Sequence, residues 1–189
     1  SKRMMPEISL NILDIAENSV RANASLIRIT VSVQPKEDTL TIIIGDDGCG
    51  MTPEQVSRVQ DPFFTTRTTR KVGLGVPFFK QAAESTGGSF QIDSEKGKGT
   101  TVKAVFGLSH IDRMPLGDIS STIQTLIVFN EHIDFRYTYE YGQESFVLDT
   151  REMREMLGED ISFKEAEISR FIKEYLETNK KETDKGADI

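Results

Sequence analysis

The chain predicts an α/β fold: a two-layer α/β sandwich with helices on one face of a mixed sheet, plus a small α+β C-terminal extension. Three observations predict it. Leu26–Val33 and Thr39–Ile44 alternate β-branched side chains around the turn-rich segment Gln34–Asp38, the pattern of an antiparallel hairpin. Helical spacing marks Pro6–Asn23 before that hairpin and Pro77–Ser85 after it. Ser89–Ser94 and Thr100–Phe106 then read as two more strands flanking the turn Glu95–Gly99.

Taken in order, Pro6–Asn23 puts Ile8, Ile12, Ile15 and Ser19 on one side and Asn11, Asp14, Asn18 and Arg21 on another. At 100° per residue, Asn11, Asp14 and Asn18 share an arc of about 60°. Thr52-Pro53-Glu54 supplies a capping residue and a proline at the first helical position, so a short helix starts there. Gly87-Gly88 stops the helix that begins at Pro77. Beyond Gly107, Asp118–Val128 is expected as a helix, and Ile133–Tyr141 with Ser145–Leu148, broken by Gly142, as another hairpin. Asp149–Leu157 and Ser162–Thr178 are expected as helices, the second opened by a Ser162…Glu165 capping box. Ile168, Phe171, Ile172, Tyr175 and Leu176 form a stripe on it, for which packing against its own chain is a commoner use than docking a partner. Asn179–Ile189 is charged and turn-prone, the composition of a disordered tail. The divisions are therefore 1–108, 109–178 and 179–189.

Composition narrows the function. The 189 residues are 37% hydrophobic and 28% charged, enough for a real core. A net charge of −7 argues against a nucleic-acid surface, which needs a basic stripe. Cys49 is the sole cysteine, so neither a disulfide framework nor a thiolate metal cluster is available. No apolar run approaches the ~20 residues of a membrane span, and no signal-peptide core is visible, so a soluble cytoplasmic protein without a membrane role is expected.

Four blocks carry the chemistry: ILDIAENSVRANAS (Ile12–Ser25), GDDGCGM (Gly45–Met51), DPFFTTR (Asp61–Arg67) with GLGV (Gly73–Val76), and GKGTT (Gly97–Thr101). Each alone is a weak signal. In this order and spacing they resemble the ATP-binding site of the GHKL superfamily: DNA gyrase B subunits, MutL-type repair proteins, large heat-shock chaperones and sensor histidine kinases. The resemblance covers residues 5 to about 107 and implies a Bergerat ATP-binding fold over 1–108, with ATP and Mg²⁺ as cofactors. It is closest to sensor-kinase catalytic domains, with a MutL-like first block.

By that resemblance, Asn18 ligates Mg²⁺ through its side-chain oxygen, as a hard oxygen donor beside phosphates. Asp14, one turn earlier, stands where relatives carry a glutamate base, although aspartate is one methylene shorter. Glu17 is either a second carboxylate near the site or a surface group. Asp46 matches the aspartate that accepts a hydrogen bond from the adenine amino group, while Asp47 reads as a solvated turn residue. Gly48 and Gly50 would let the backbone approach the purine, with Met51 and Phe64 completing the nucleotide contacts. Arg67 and Arg70, on a short basic lid (Thr65–Val72) with Lys71, would neutralise charge on a transferred phosphoryl. Gly73, Leu74 and Gly75 precede a helix whose free N–H groups suit phosphate. Thr100 or Thr101 would bond near Asp46.

Ser109-His110-Ile111-Asp112-Arg113-Met114-Pro115-Leu116 echoes the phosphoacceptor box of sensor kinases. Its acidic residue is displaced by one position, it follows the ATP-binding segment, and no long two-helix hairpin surrounds it. His110 at a junction is the plainer reading.

Three functions remain. One is a kinase passing the γ-phosphoryl to a histidine or serine of a partner protein, supported by the kinase-like DPFFTTR block. The others are an ATP-hydrolysing switch of MutL or gyrase type and a non-catalytic ATP sensor acting through its C-terminal segment. The whole chain also resembles short stand-alone ATPase-domain proteins found beside redox-enzyme subunits, which implies a redox complex as partner. The superfamily makes a homodimer plausible.

Overall fold

The computed structural model describes residues 6–65 and 75–189. The elements run α1 (Ile8–Arg21), β1 (Leu26–Gln34), β2 (Thr39–Asp46), α2 (Pro53–Val59), α3 (Pro62–Thr65), α4 (Gly75–Glu84), β3 (Ser89–Glu95), β4 (Gly99–Gly107), α5 (Ile119–Phe129), β5 (Asp134–Tyr141), β6 (Glu144–Asp149), α6 (Thr150–Leu157) and α7 (Ala166–Asp184). One six-stranded sheet is ordered β3-β4-β2-β1-β5-β6. The β1–β5 pair is parallel and the other pairs are antiparallel, so the sheet is mixed as expected. The N-terminal hairpin pairs Ile29 with Ile44 and Val31 with Ile42, in the register its alternation demands.

Helices α4, α1, α5 and α7 lie side by side on one face, and alternate strand residues point into them. Ile27, Ile29, Val31 and Val33 of β1 are all buried on that side. Ile8, Ile12 and Ile15 of α1 meet them, while its opposite side carries Asp14 and Asn18. At the start of α2, the Thr52 side chain accepts from the Gln55 amide and Gln55 accepts from the Thr52 amide, closing a capping box. Asp118 caps α5 by accepting from the Ser121 amide.

The segment after Gly107 does not form a layer of its own. β4 and β5 run in the same direction, and α5 carries the chain across the helical face to place β5 beside β1. β5 and β6 thus extend the same sheet. Their buried side is aromatic: Tyr137, Tyr139 and Phe135 are among the largest fully buried side chains.

Two expectations in this segment are corrected. The Ser162…Glu165 capping box does not form. Ser162 instead donates to Glu131 at 2.8 Å, the Phe163 amide donates to the same carboxylate oxygen, and α7 starts at Ala166. Glu131 captures the residue that would have capped the helix. Nor is Asn179–Ile189 a disordered tail. α7 continues to Asp184, which is 2% exposed and accepts from the Tyr139 hydroxyl at 2.7 Å. The apolar stripe of α7 is divided: Ile172 and Leu176 are buried, whereas Phe171 and Tyr175 remain partly open to solvent. Among the described residues, no helix is long and apolar enough to cross a membrane.

Candidate functional site

A cavity of about 420 Å³ opens where the C-terminal half of α1 passes over the ends of β2 and β4. Its wall is mostly apolar, from Ile15, Ile44, Met51, Val76, Ile92 and Val102. Asp46, at the end of β2, is its one acidic lining residue among those described. Both carboxylate oxygens of Asp46 are held: Oδ2 accepts from the Ser19 hydroxyl at 2.5 Å, and Oδ1 accepts from the Gly48 amide at 2.8 Å. The carboxylate is therefore fixed in orientation before any ligand arrives. A fixed acceptor in an apolar slot discriminates sharply in favour of a ligand donor placed opposite it.

Ser19 was not read as a site residue in the sequence. It lies on the buried side of α1, a hydroxyl in an otherwise apolar stripe, and that polar interruption was its signal.

The loop after Asp46 is shaped by contact with its own chain. Gly50 has φ +68° and sits so near the β3–β4 turn that a Cβ would meet the Glu95 carbonyl oxygen at 2.0 Å. A Cβ at Gly48 would lie 2.7 Å from the Ala22 carbonyl oxygen. Gly50 lines the cavity, and both glycines also admit neighbouring backbone. Asp47 keeps the solvated place in the loop that its sequence reading gave it. It is exposed, yet its carboxylate accepts from the Ser25 amide at 2.7 Å, the Leu26 amide at 3.0 Å and the Ser25 hydroxyl, tying the loop to the start of β1. Burial pulls its pKa up, but the hydrogen bonds from Ser25 and Leu26 outweigh that and leave it below the ordinary aspartate value.

Thr100 and Thr101 separate by strand alternation. Thr100 pairs with Asp46 across the ladder, lines the cavity and shares a 2.8 Å hydrogen bond with Ser94 Oγ. Thr101 is exposed and does not line the cavity. On α1, Asn18 and Arg21 both line the cavity, and the Arg21 guanidinium donates to Asn18 Oδ1. Arg21 is thus a further cation at the site, read in the sequence only as part of a polar helix face.

Asp14 stands one turn from Asn18, outside the cavity lining, where a Cβ on Gly75 would approach its own Cβ to 3.0 Å. The chain packed around Asp14 raises its pKa, Glu17 raises it further, and Arg21 opposes both. Phe64 does not line the cavity; its ring lies 5.2 Å from the Arg58 guanidinium. Arg67, Arg70, Lys71, Gly73 and Leu74 lie outside the described residues, as does most of the expected lid. His110 follows the far end of β4, seven residues or about 23 Å along the strand from Thr100 to Gly107. Its Nδ1 accepts from the Asp112 amide at 3.1 Å.

The donor set suits a nucleotide better than a protein-caged metal. No group of three or more His, Cys, Asp or Glu side chains is poised to hold a metal among the described residues. Asn18 can offer one amide oxygen, whose second lone pair is not taken by the hydrogen bond from Arg21.

Residues 5–110 match the model of the Histidine kinase-, DNA gyrase B-, and HSP90-like ATPase family. The Probable C4-dicarboxylate sensor kinase of Bacillus subtilis is 37% identical over 79 residues, covering 42% of this chain and 15% of that protein. The Sensor protein kinase FleS of Pseudomonas aeruginosa is 34% identical over 108 residues, covering 57% of this chain and 26% of that protein. The chain therefore spans between 15% and 26% of the length of these relatives. The solved N-terminal domain of a DNA repair protein superposes with a TM-score of 0.56 at 16% identity, over 76% of this chain and 52% of that one, a likeness of fold. With more than half its length matched, this chain belongs to the histidine kinase-, DNA gyrase B- and HSP90-like ATPase family.

Proposed function

We propose that the chain binds Mg-ATP in this cavity and passes its γ-phosphoryl to a partner protein. One observation carries the reading: Asp46 is an isolated, fully anchored carboxylate in an apolar slot. That is the environment for a flat purine whose exocyclic amine donates to it, and guanine, with a carbonyl at that position, would be repelled. Thr100 lies across the ladder from Asp46, within the same wall.

ATP would supply the transferable phosphoryl and Mg²⁺ would offset the phosphate charge. The chain's own part is to hold and orient. Asn18 offers an oxygen to the metal side and Arg21 a cation to the phosphates, both at the cavity mouth. Asp14 stands one turn from Asn18, outside the cavity lining, and its raised pKa suits the uptake of a proton from a water or an acceptor hydroxyl. Sensor kinases among the relatives favour protein phosphotransfer over other uses of ATP.

A second reading, an ATP-occupancy sensor, is favoured by one feature. The segment from α5 to α7 joins the sheet that carries Asp46 and packs against α1, so occupancy has a direct mechanical neighbour.

Titration calorimetry with ATP and GTP tests the site: tight binding of ATP, none of GTP, and loss of ATP binding in Asp46→Asn are expected. Equal affinity for both nucleotides would remove Asp46 as the reader. Phosphate transfer is then followed by intact mass at neutral pH without an acid step, in the chain and in candidate partner proteins.

A further inference from the structure

The last turn of α7 is docked by contacts that conflict with its composition. Beyond Leu176, no apolar side chain occurs before Ala187, yet Thr183 is 7% exposed and Asp184 2%. Hydrogen bonds and charge hold the turn. Asp184 accepts from Lys180 at 2.8 Å and Tyr139 at 2.7 Å on Oδ2, and from the Gly186 amide at 2.9 Å on Oδ1. The Lys180 ammonium also lies 5.3 Å from the Tyr139 ring centre.

Such an anchor is close to balance between docked and released. Desolvating an ion pair costs about as much as its attraction returns. Lys185 adopts φ +56°, the left-handed region that L side chains disfavour. The Tyr137 hydroxyl, in a side chain 1% exposed on the same strand as Tyr139, finds no hydrogen-bond partner among the described residues. Release would let Tyr137, Tyr139, Lys180 and Asp184 regain water. A segment docked chiefly through hydrogen bonds and charge, with Ile189 as its one larger apolar side chain against the core, is where local opening is expected.

The docked segment also reaches the helix that carries the site, through Pro115 and Leu116. The Ile189 carbonyl accepts from the Leu116 amide at 2.9 Å. The Pro115 and Leu116 carbonyls in turn accept from the Ile8 and Ser9 amides, both at 2.9 Å, satisfying the first free N–H groups of α1. α5 fills the space between α1 and α7. α1 is one continuous helix with its first turn at this junction and Asn18 and Arg21 at the cavity.

We propose that Lys180–Ile189 is a latch: docked, it steadies Pro115–Leu116 and the first turn of α1; released, it loosens that helix and with it the ligand site. Coupling of this kind is reciprocal, so cavity occupancy favours the docked latch and latch release weakens occupancy. The latch stands on these contacts alone; its link to a nucleotide rests on the cavity reading above.

Hydrogen exchange read by mass spectrometry on the full chain tests both parts. In the unaltered protein, amides of 180–189 are expected to exchange at least ~10-fold faster than those of β2, through local opening. Asp184→Asn, removing one charge-assisted anchor, speeds them about 10-fold more and raises exchange in residues 7–12 in parallel. Tyr139→Phe, which keeps the ring, does the same to a smaller degree and decides the matter if Asp184→Asn does not fold. Saturating Mg-ADP slows exchange in 7–12 and in 180–189 together. Exchange of 180–189 as slow as β2 overturns the latch. A freed 180–189 with residues 7–12 unchanged overturns its coupling to α1. If calorimetry shows no Mg-ADP binding, the cavity reading fails while the Asp184→Asn comparison still decides the latch.

Discussion

The two sides of the sheet solve opposite problems. On the β3–β4–β2 side, loops approach so closely that a Cβ at Gly50 or Gly99 would lie 2.0 Å from backbone oxygen, and yet an apolar cavity is left open beside Asp46. On the β5–β6 side, large rings fill the corresponding space: Tyr137 and Tyr139 both pack against Phe146, with centroids 5.8 and 6.0 Å apart. The first side leaves apolar surface unburied, which a self-sufficient core would not do. The second buries polar groups to anchor a charged helix. A binding site thus shows itself by what the fold leaves unfilled, and an attachment point by what it buries against its interest.

The harshest way to break this comparison is to remove one side. Ending the chain at Leu108 strips β1 of its pairing with β5, from Leu26↔Asp134 to Val33↔Tyr141, and uncovers the face of α1 that meets α5. Loss of a cooperative melting transition is expected by circular dichroism. A sharp transition in the shortened chain would show that the β3–β4–β2–β1 side folds alone.

Next in size is Ile172→Ala in α7, fully buried at 0% exposure. Denaturant unfolding should show a loss of about 2–5 kcal/mol, in one transition for the whole chain. A separate early transition would mean that the two sides unfold independently.

Asp46→Asn strikes the other side without altering its packing. ATP affinity should fall ~100-fold or more, about 2.7 kcal/mol, while the melting temperature moves little. Unchanged affinity in calorimetry removes Asp46 from the site. Asn18→Ala should weaken the Mg²⁺ dependence of binding by about tenfold and leave adenosine recognition largely intact. Metal dependence equal to that of the unaltered protein rules Asn18 out as the ligand.

The smallest effect is in acid. Asp47 on one side and Asp184 on the other both titrate below the ordinary aspartate value: burial raises each, and hydrogen bonds, from Ser25 and Leu26 or from Lys180 and Tyr139, lower each further. A lowered folded-state pKa gives stabilisation that is complete above the unfolded value of about 4 and is lost as pH falls through the folded one. Melting temperature should therefore decline below about pH 4, and less steeply in Asp47→Asn. An identical slope in that variant means Asp47 contributes nothing.

Much of this protein is written locally. Helical periodicity in α1, alternation in β1 and β2, and the Thr52-Pro53 start of α2 each report on neighbours a few residues apart, so each element appeared where its pattern lay. That Asn18, Asp46, Gly50 and Met51 belong together was legible for the same reason, because short motifs set their spacing, and all four line the cavity. What escaped depends on partners far along the chain. Ser19 gains meaning from Asp46, Asp47 from Ser25, and Thr100 rather than Thr101 from the pleat that turns one side chain inward and its neighbour out.

The sequence alone determined the fold class and the family, since periodicity and motif spacing are properties of contiguous residues. Only the tertiary structure decided that β5 lies beside β1, that Glu131 takes Ser162 from its cap, and that a tail of disordered composition ends in a buried aspartate. The physical reason is common to all three. Each is a hydrogen bond or ladder between residues distant in sequence, Tyr139 and Asp184 being 45 apart, and its free energy exists only once the fold has brought the two together.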